Sequence, residues 1–260
     1  MKKIFIILLI FSVVLLIACN TSKEKISESY KQNQAIQESS VGEESKEESK
    51  PTGLCYNPYF PVKPNIVRTY KVHCPSGDVY EYTSSFSGIT EESFIEKLIS
   101  SEFSIDVNWL CNNDGLIQSD YSELPFEGES EGFEITTESY EGVILPSYDQ
   151  WVVGYKWDTK YKVKATFTVE SEEMAFDGDA IITNEIASIE PVTVPYGTYA
   201  DAIKINSKKT INQETKIEGS SMSLSAVSDI SSWYVEGIGL VKKVSKSECG
   251  TTLVELLSVE

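Results

Sequence analysis

The sequence predicts an all-β, mainly antiparallel domain, a curved sheet folded as a half-barrel or a sandwich. Three observations predict it. Apolar residues recur at every second position along most of the chain, as they do on a strand with one wet face. Asp-Gly, Ser-Gly and Cys-Gly pairs interrupt that alternation. The runs between them are short and numerous, which is the spacing of sandwiches and barrels.

The domain does not begin at the first residue. Lys2 and Lys3 precede an apolar run from Ile4 to Ala18 that only Ser12 interrupts. As a helix this run reaches about 22 Å, short of a roughly 30 Å hydrocarbon core, so it suits an export signal better than a permanent span. It ends in Leu16-Ile17-Ala18-Cys19. That tetrapeptide resembles the lipobox of bacterial lipoproteins. The resemblance implies a signal peptide over residues 1–18, cleavage before Cys19, and lipidation of the Cys19 thiol. The protein would then be held on the extracytoplasmic face of the cell membrane or outer membrane. Several acyl chains anchor stably, each buried CH2 contributing about 0.8 kcal/mol.

Residues 19–51 follow as a tether. They are rich in Ser, Glu, Lys and Gln, with Tyr30 as their single aromatic residue. Such a segment cannot bury enough apolar surface to offset chain entropy, so disorder is expected. A flexible coil of this length has a mean reach of roughly 30 Å. Residues 52–260 remain as the β-rich globular part, one domain or two similar β-meander lobes. The second option rests on an internal echo between Pro61–Tyr70 and Pro146–Trp157.

The formal net charge of −18 falls entirely on this globular part, because residues 1–51 carry seven Lys against seven Glu. No Lys or Arg lies between Lys97 and Lys156, a stretch that holds twelve carboxylates. This surface repels phosphate backbones, which argues against nucleic-acid partners. Beyond Cys19 the cysteines are Cys55, Cys74, Cys111 and Cys249. Four exported cysteines predict two disulfides, with three possible connectivities; Cys55 with Cys111 and Cys74 with Cys249 is the preferred set. If the envelope is reducing, they act as small buried hydrophobes.

Taken in order, strands are expected at Asn65 to His73, Asp78 to Phe86, Phe103 to Leu110, Tyr161 to Val169, Asp179 to Ile189, Ala200 to Ile205, Ser232 to Val235, Leu240 to Val244 and Thr251 to Val259. Between the second and third, Thr90 to Ile99 reads two ways. Local propensity gives a helix capped by Thr90, with Phe94, Ile95, Leu98 and Ile99 on its apolar face. A meander with its neighbours gives a strand, the preferred reading. Phe176-Asp177-Gly178-Asp179-Ala180 reads as a hairpin turn.

Gly128-Glu129-Ser130-Glu131-Gly132 matches the G-x-S-x-G of a nucleophile elbow on paper. The context opposes it. Acidic residues and Pro125 precede Ser130 where a buried strand is needed, and Phe133 to Thr137 alternates like a strand where a helix is needed. The single histidine, His73, lies upstream of the serine. A charged hairpin loop is expected instead. His73 reads as a strand-end residue, and no residue set predicts a metal or any other cofactor. Trp151, Trp157 and Trp233 are candidates to line a groove, against a core role that β-structures usually give such rings.

Two C-terminal stretches resemble a larger group. Val192-Thr193-Val194-Pro195-Tyr196-Gly197-Thr198-Tyr199 and Trp233-Tyr234-Val235-Glu236-Gly237-Ile238-Gly239-Leu240-Val241-Lys242 carry a VPxGT[FY]…W[YF]xxGxGxxK signature. Asn57 to Pro61 and Trp109 to Leu116 agree with it. The chain is thereby similar to exported bacterial lipoproteins with an uncharacterised β-rich domain, over most of Cys55 to Val259. Tyr196 stands where alanine is usual, and Arg68-Thr69 replaces a commoner tryptophan-containing strand start. The resemblance implies a strongly curved antiparallel sheet, comparable to the half-barrels of envelope lipid carriers. The expected function is non-enzymatic binding of an apolar or amphipathic ligand, or of a partner protein, at the envelope. A structural or assembly role without a small ligand is the alternative, and an envelope hydrolase ranks below both.

Overall fold

A computed structural model describes residues 53–121, 134–169, 172–217 and 220–260. Cys19, the tether and the Gly128–Gly132 motif with Ser130 lie outside them. The described chain is almost entirely antiparallel β-structure, with one short 3-10 turn at Tyr148–Gln150. The thirteen strands are β1 (Val67–His73), β2 (Val79–Ser87), β3 (Ser93–Ser100), β4 (Ser104–Asn112), β5 (Gly115–Gln118), β6 (Glu134–Gly142), β7 (Leu145–Pro146), β8 (Lys156–Val169), β9 (Glu172–Val194), β10 (Gly197–Ile217), β11 (Ser220–Val235), β12 (Gly239–Ser247) and β13 (Gly250–Val259).

They form one sheet in the order β6-β8-β9-β10-β11-β12-β13-β1-β2-β3-β4-β5-β7. The two ends of that order are neighbours in sequence, because β6 runs into β7 through Val143 and Ile144. Val143 C=O accepts from Thr159 Oγ1 on β8, while Ile144 N–H donates to Leu116 C=O on β5. Tyr161 on β8 also donates its hydroxyl to Gln118 C=O on β5, at 3.1 Å. The sheet is therefore open in hydrogen-bonding order, yet a bent β6–β7 segment draws its two ends together. Gly142 sits at the bend with φ +82°, and a Cβ there would collide with Asp158 C=O. Only glycine accepts both the left-handed backbone and the close approach.

Alternation places one set of side chains inside the curve. β1 turns Arg68, Tyr70 and Val72 inward, β2 turns Tyr82, Ser84 and Phe86, and β4 turns Val107, Trp109 and Cys111. Val254, Leu256, Val241, Ile203 and Ile205 close the core from the C-terminal strands. Its rings interlock: Tyr70 stacks on Tyr82 at 5.2 Å and Phe94 on Trp109 at 5.6 Å.

The ambiguous segment is the strand β3. Phe94 and Leu98 are buried while Ile99 is exposed, so period two prevails over the helical face. Thr90 does cap, as its local signal implied: its hydroxyl oxygen accepts from Ser93 N–H at 3.0 Å and Glu92 N–H at 3.3 Å. What it caps is the tight turn entering β3. Two expectations need correction. Residues 176–180 are not a turn but the middle of β9, with Gly178 opposite Val163 and Gln213. A Cβ on Gly178 would lie 2.9 Å from Asn212 C=O, so the glycine serves close strand approach. The strands β9 and β10 also run to 23 and 21 residues, far past the expected Asp179–Ile189 and Ala200–Ile205. Polar residues do not end these strands, because neighbouring strands pair the backbone along their length.

The Cys55–Cys111 bridge forms, with Cα atoms 5.0 Å apart and a sequence separation of 56. Cys74 is buried just after β1, and Cys249 lies half-buried in the β12–β13 turn.

Candidate functional site

Inside the curve, two charged side chains occupy positions where alternation calls for apolar ones. Arg68 is buried, its Nε donating to Ile238 C=O at 2.8 Å and a terminal nitrogen to Pro61 C=O at 2.9 Å. Its guanidinium lies 5.4 Å from the Phe86 ring centre. Glu96 on β3 accepts from Ser84 Oγ at 2.6 Å and from Trp109 Nε1 at 3.1 Å. A cavity of about 10 Å3, room for roughly one water, is shared by Arg68, Glu96, Tyr70 and Ser84. Glu96 keeps some surface toward that cavity, but protein crowds its carboxylate. Burial pushes its pKa above the usual carboxyl range, against the opposing pull of the Ser84 and Trp109 bonds and of Arg68. Burial likewise raises the Tyr70, Tyr82 and Tyr234 hydroxyls. The cavity is too small for a substrate, and the charged groups are spent on hydrogen bonds that tie strands together. This cluster builds the fold.

The larger recess lies outside, where the bent β6–β7 segment draws the sheet together. A groove of about 370 Å3 is lined by Asn112 and Asp114 from the β4–β5 turn, Tyr140 and Glu141 from β6, Gln150, Tyr155, and Trp157 and Asp158 on β8. Local bonds hold its walls. Asn112 Oδ1 accepts from Asp114 N–H and Gly115 N–H at 2.9 and 3.0 Å, and Ser147 N–H donates to Asp114 C=O at 2.8 Å. The Tyr155 and Trp157 rings stack at 5.7 Å. Three carboxylates, Asp114, Glu141 and Asp158, share the lining with three aromatic rings. Lys160 stands 3.7 Å from Glu141, an exposed pair.

A second groove of about 280 Å3 lies on the other side of the 147–155 loop, lined among others by Cys55, Tyr56, Lys63, Ile89 and Glu236. Between the grooves Tyr59 stacks on Trp151 at 4.5 Å, and Tyr148 meets Tyr56 edge-on at 6.2 Å. Asn57 Nδ2 and Trp151 Nε1 both donate to Pro146 C=O at 3.0 Å, which pins the N-terminal segment to this loop. Tyr148, Val152 and Val153 are each half or more exposed. The result is an apolar ridge between recesses, and its outer groove is acidic.

Of the tryptophans that sequence analysis singled out, Trp157 lines the acidic groove, while Trp151 is buried in the core against Tyr59 and Tyr234. Trp233 does not line the groove: its indole N–H donates to Glu190 at 2.9 Å, and Lys204 sits 4.9 Å from its ring centre. Cys55 reaches the second groove. Sequence reasoning missed Tyr140, Glu141 and Asp158. The signal for Tyr140 and Glu141 is the cation-free, carboxylate-rich stretch between Lys97 and Lys156, which supplies most of the acidic groove; Asp158 lies just beyond it.

No family model matches the chain, and no curated protein matches it. Among solved structures, it is similar to a protein of Parabacteroides distasonis provisionally designated a lipoprotein, at 16% identity and a TM-score of 0.49, over 78% of this chain and 98% of that one. It is also similar to a protein of Bacteroides fragilis provisionally designated an exported protein with a YmcC-like fold, at 9% identity and a TM-score of 0.48, over 77% of this chain and 98% of that one.

Proposed function

We propose that the chain is a lipid-anchored extracytoplasmic protein that acts by binding rather than by chemistry, and that it takes an amphipathic, cationic segment of an envelope partner. The observation that carries this reading is the acidic groove itself: Asp114, Glu141 and Asp158 stand among Tyr140, Tyr155 and Trp157. Aromatic faces attract cations, carboxylates attract them more, and the ridge of Tyr148, Val152 and Val153 offers apolar surface alongside. The interior supports the same conclusion from the other side. Its core is filled by side chains, and the cavity at Arg68 and Glu96 has room for about one water. An apolar ligand of any size would have to lie on the outside.

The reading is tested with two synthetic octapeptides, one alternating Lys and Leu, the other Glu and Leu. Saturable quenching of tryptophan fluorescence is expected with the first alone. It weakens as salt rises and is lost in Asp158→Asn with Glu141→Gln. Equal binding of both peptides, or binding of neither, would refute it.

A further inference from the structure

β11 pairs with β10 along its whole length, from Ile217↔Ser220 to Ile203↔Tyr234, but with β12 only from Asp229 to Val235. Among the described residues, the outer edge of β11 at residues 220–228 has no strand beside it. Native edge strands are normally guarded by lysine, proline or a bulge. This one has none of these. Ser220-Ser221-Met222-Ser223-Leu224-Ser225-Ala226-Val227-Ser228 holds no charge and no proline, in a chain in which 24% of residues are charged. Its ladder with β10 runs without a register shift. Ser223, Ser225, Ala226 and Val227 are exposed.

We propose that this edge pairs antiparallel with the same edge of a second copy of the chain. Neutrality selects that occupant. A two-fold pairing centred on Leu224 sets residue 221 against residue 227 and residue 223 against residue 225, so a net charge on the segment would meet the same net charge across the new ladder. An edge meant for a basic strand from another protein would instead carry the carboxylates that fill the rest of this chain. Position favours it too. The segment extends about 30 Å past the last β11–β12 pair, at roughly 3.3 Å per residue, so a partner strand meets it clear of β12.

The test uses the full chain in mild detergent, followed by sedimentation equilibrium. A reversible dimer is expected. Ser221→Lys with Val227→Lys, two positions that face each other across such a ladder, weakens it at least about tenfold by setting like charges opposite one another. An equimolar mixture of this variant and Ser221→Glu with Val227→Glu restores it, which a folding defect would not allow. A wild-type monomer at every concentration overturns the proposal. So does a dimer indifferent to the double lysine variant, or a mixture of folded variants that stays monomeric.

Discussion

Trp109 donates its indole N–H to Glu96 at 3.1 Å, and this bond crosses from β4 to β3 inside the core. Ser84 holds the other carboxylate oxygen from β2. Burial nonetheless raises the Glu96 pKa, so the folded state favours the protonated acid. The sign follows from linkage. A carboxyl with a raised folded pKa contributes stability fully below its unfolded value, near 4.5, and that contribution is lost as pH rises through the folded pKa. Denaturant titrations of wild type and Glu96→Gln between pH 4 and 7 should therefore diverge, the wild type losing ground to the variant as pH rises. Parallel curves would show that burial does not govern this group.

Arg68 adds to the Ser84 and Trp109 bonds in limiting that loss, because its positive charge opposes the shift. Its two carbonyl partners, Pro61 and Ile238, belong to the segment before β1 and to the turn before β12. Lysine has no fork to reach both, so Arg68→Lys should cost about 1–2 kcal/mol. Arg68→Met should cost more than Arg68→Lys, since it leaves the Pro61 and Ile238 carbonyls without their donors. It should also move the pH-dependent loss seen with Glu96 to higher pH. Unchanged unfolding midpoints in both variants would count against this role.

Sequence reading succeeded where local pattern and packing agree. The alternation from Tyr161 to Val169 marked a strand, and Pro195-Tyr196 marks the turn between β9 and β10. β3 shows the limit, because Thr90 gives the same capping signal for a helix and for the turn that precedes this strand. The long strands β9 and β10 were truncated because their outer halves are polar, and only partner strands declare them. The acidic groove was legible as composition but not as a place. Asp114, Glu141 and Asp158 are brought together by the bend at Gly142, and no spacing in the sequence encodes that meeting.

Gly178 looks dispensable from sequence, as half of an Asp-Gly turn. The structure gives it another duty, since a methyl there would press on Asn212 C=O at 2.9 Å, Gln213 and Val163. Gly178→Ala should destabilise the domain by about 1–3 kcal/mol through this overpacking, not gain the small benefit of stiffening a loop. Thermal unfolding decides the sign, and a rise in midpoint would return the residue to a turn.

Cys55–Cys111 fastens the N-terminal segment beneath the aromatic ridge, and its reduction should be felt there first. In the chain-entropy model a loop of this length contributes about 4 kcal/mol. Cys55→Ser should lower the unfolding midpoint and loosen the stack of Tyr59 on Trp151. Near-ultraviolet circular dichroism would register that loosening below the global transition. If the signal persists until the whole domain melts, the ridge is held by Asn57 and Pro146 without the bridge.

In the proposed function, Cys19 decides where all of this takes place. The run from Ile4 to Ala18 is short for a span, so the attachment we propose is through the thiol of Cys19. Cys19→Ser should leave the fold of residues 53–260 intact and release the protein from membranes into the soluble extracytoplasmic fraction. Intact-mass analysis of the wild type should find acyl chains on the first mature residue and none in the variant. If the variant still sediments with membranes, the attachment lies elsewhere. The acidic groove, which repels anionic headgroups, would be a poor place to look for it.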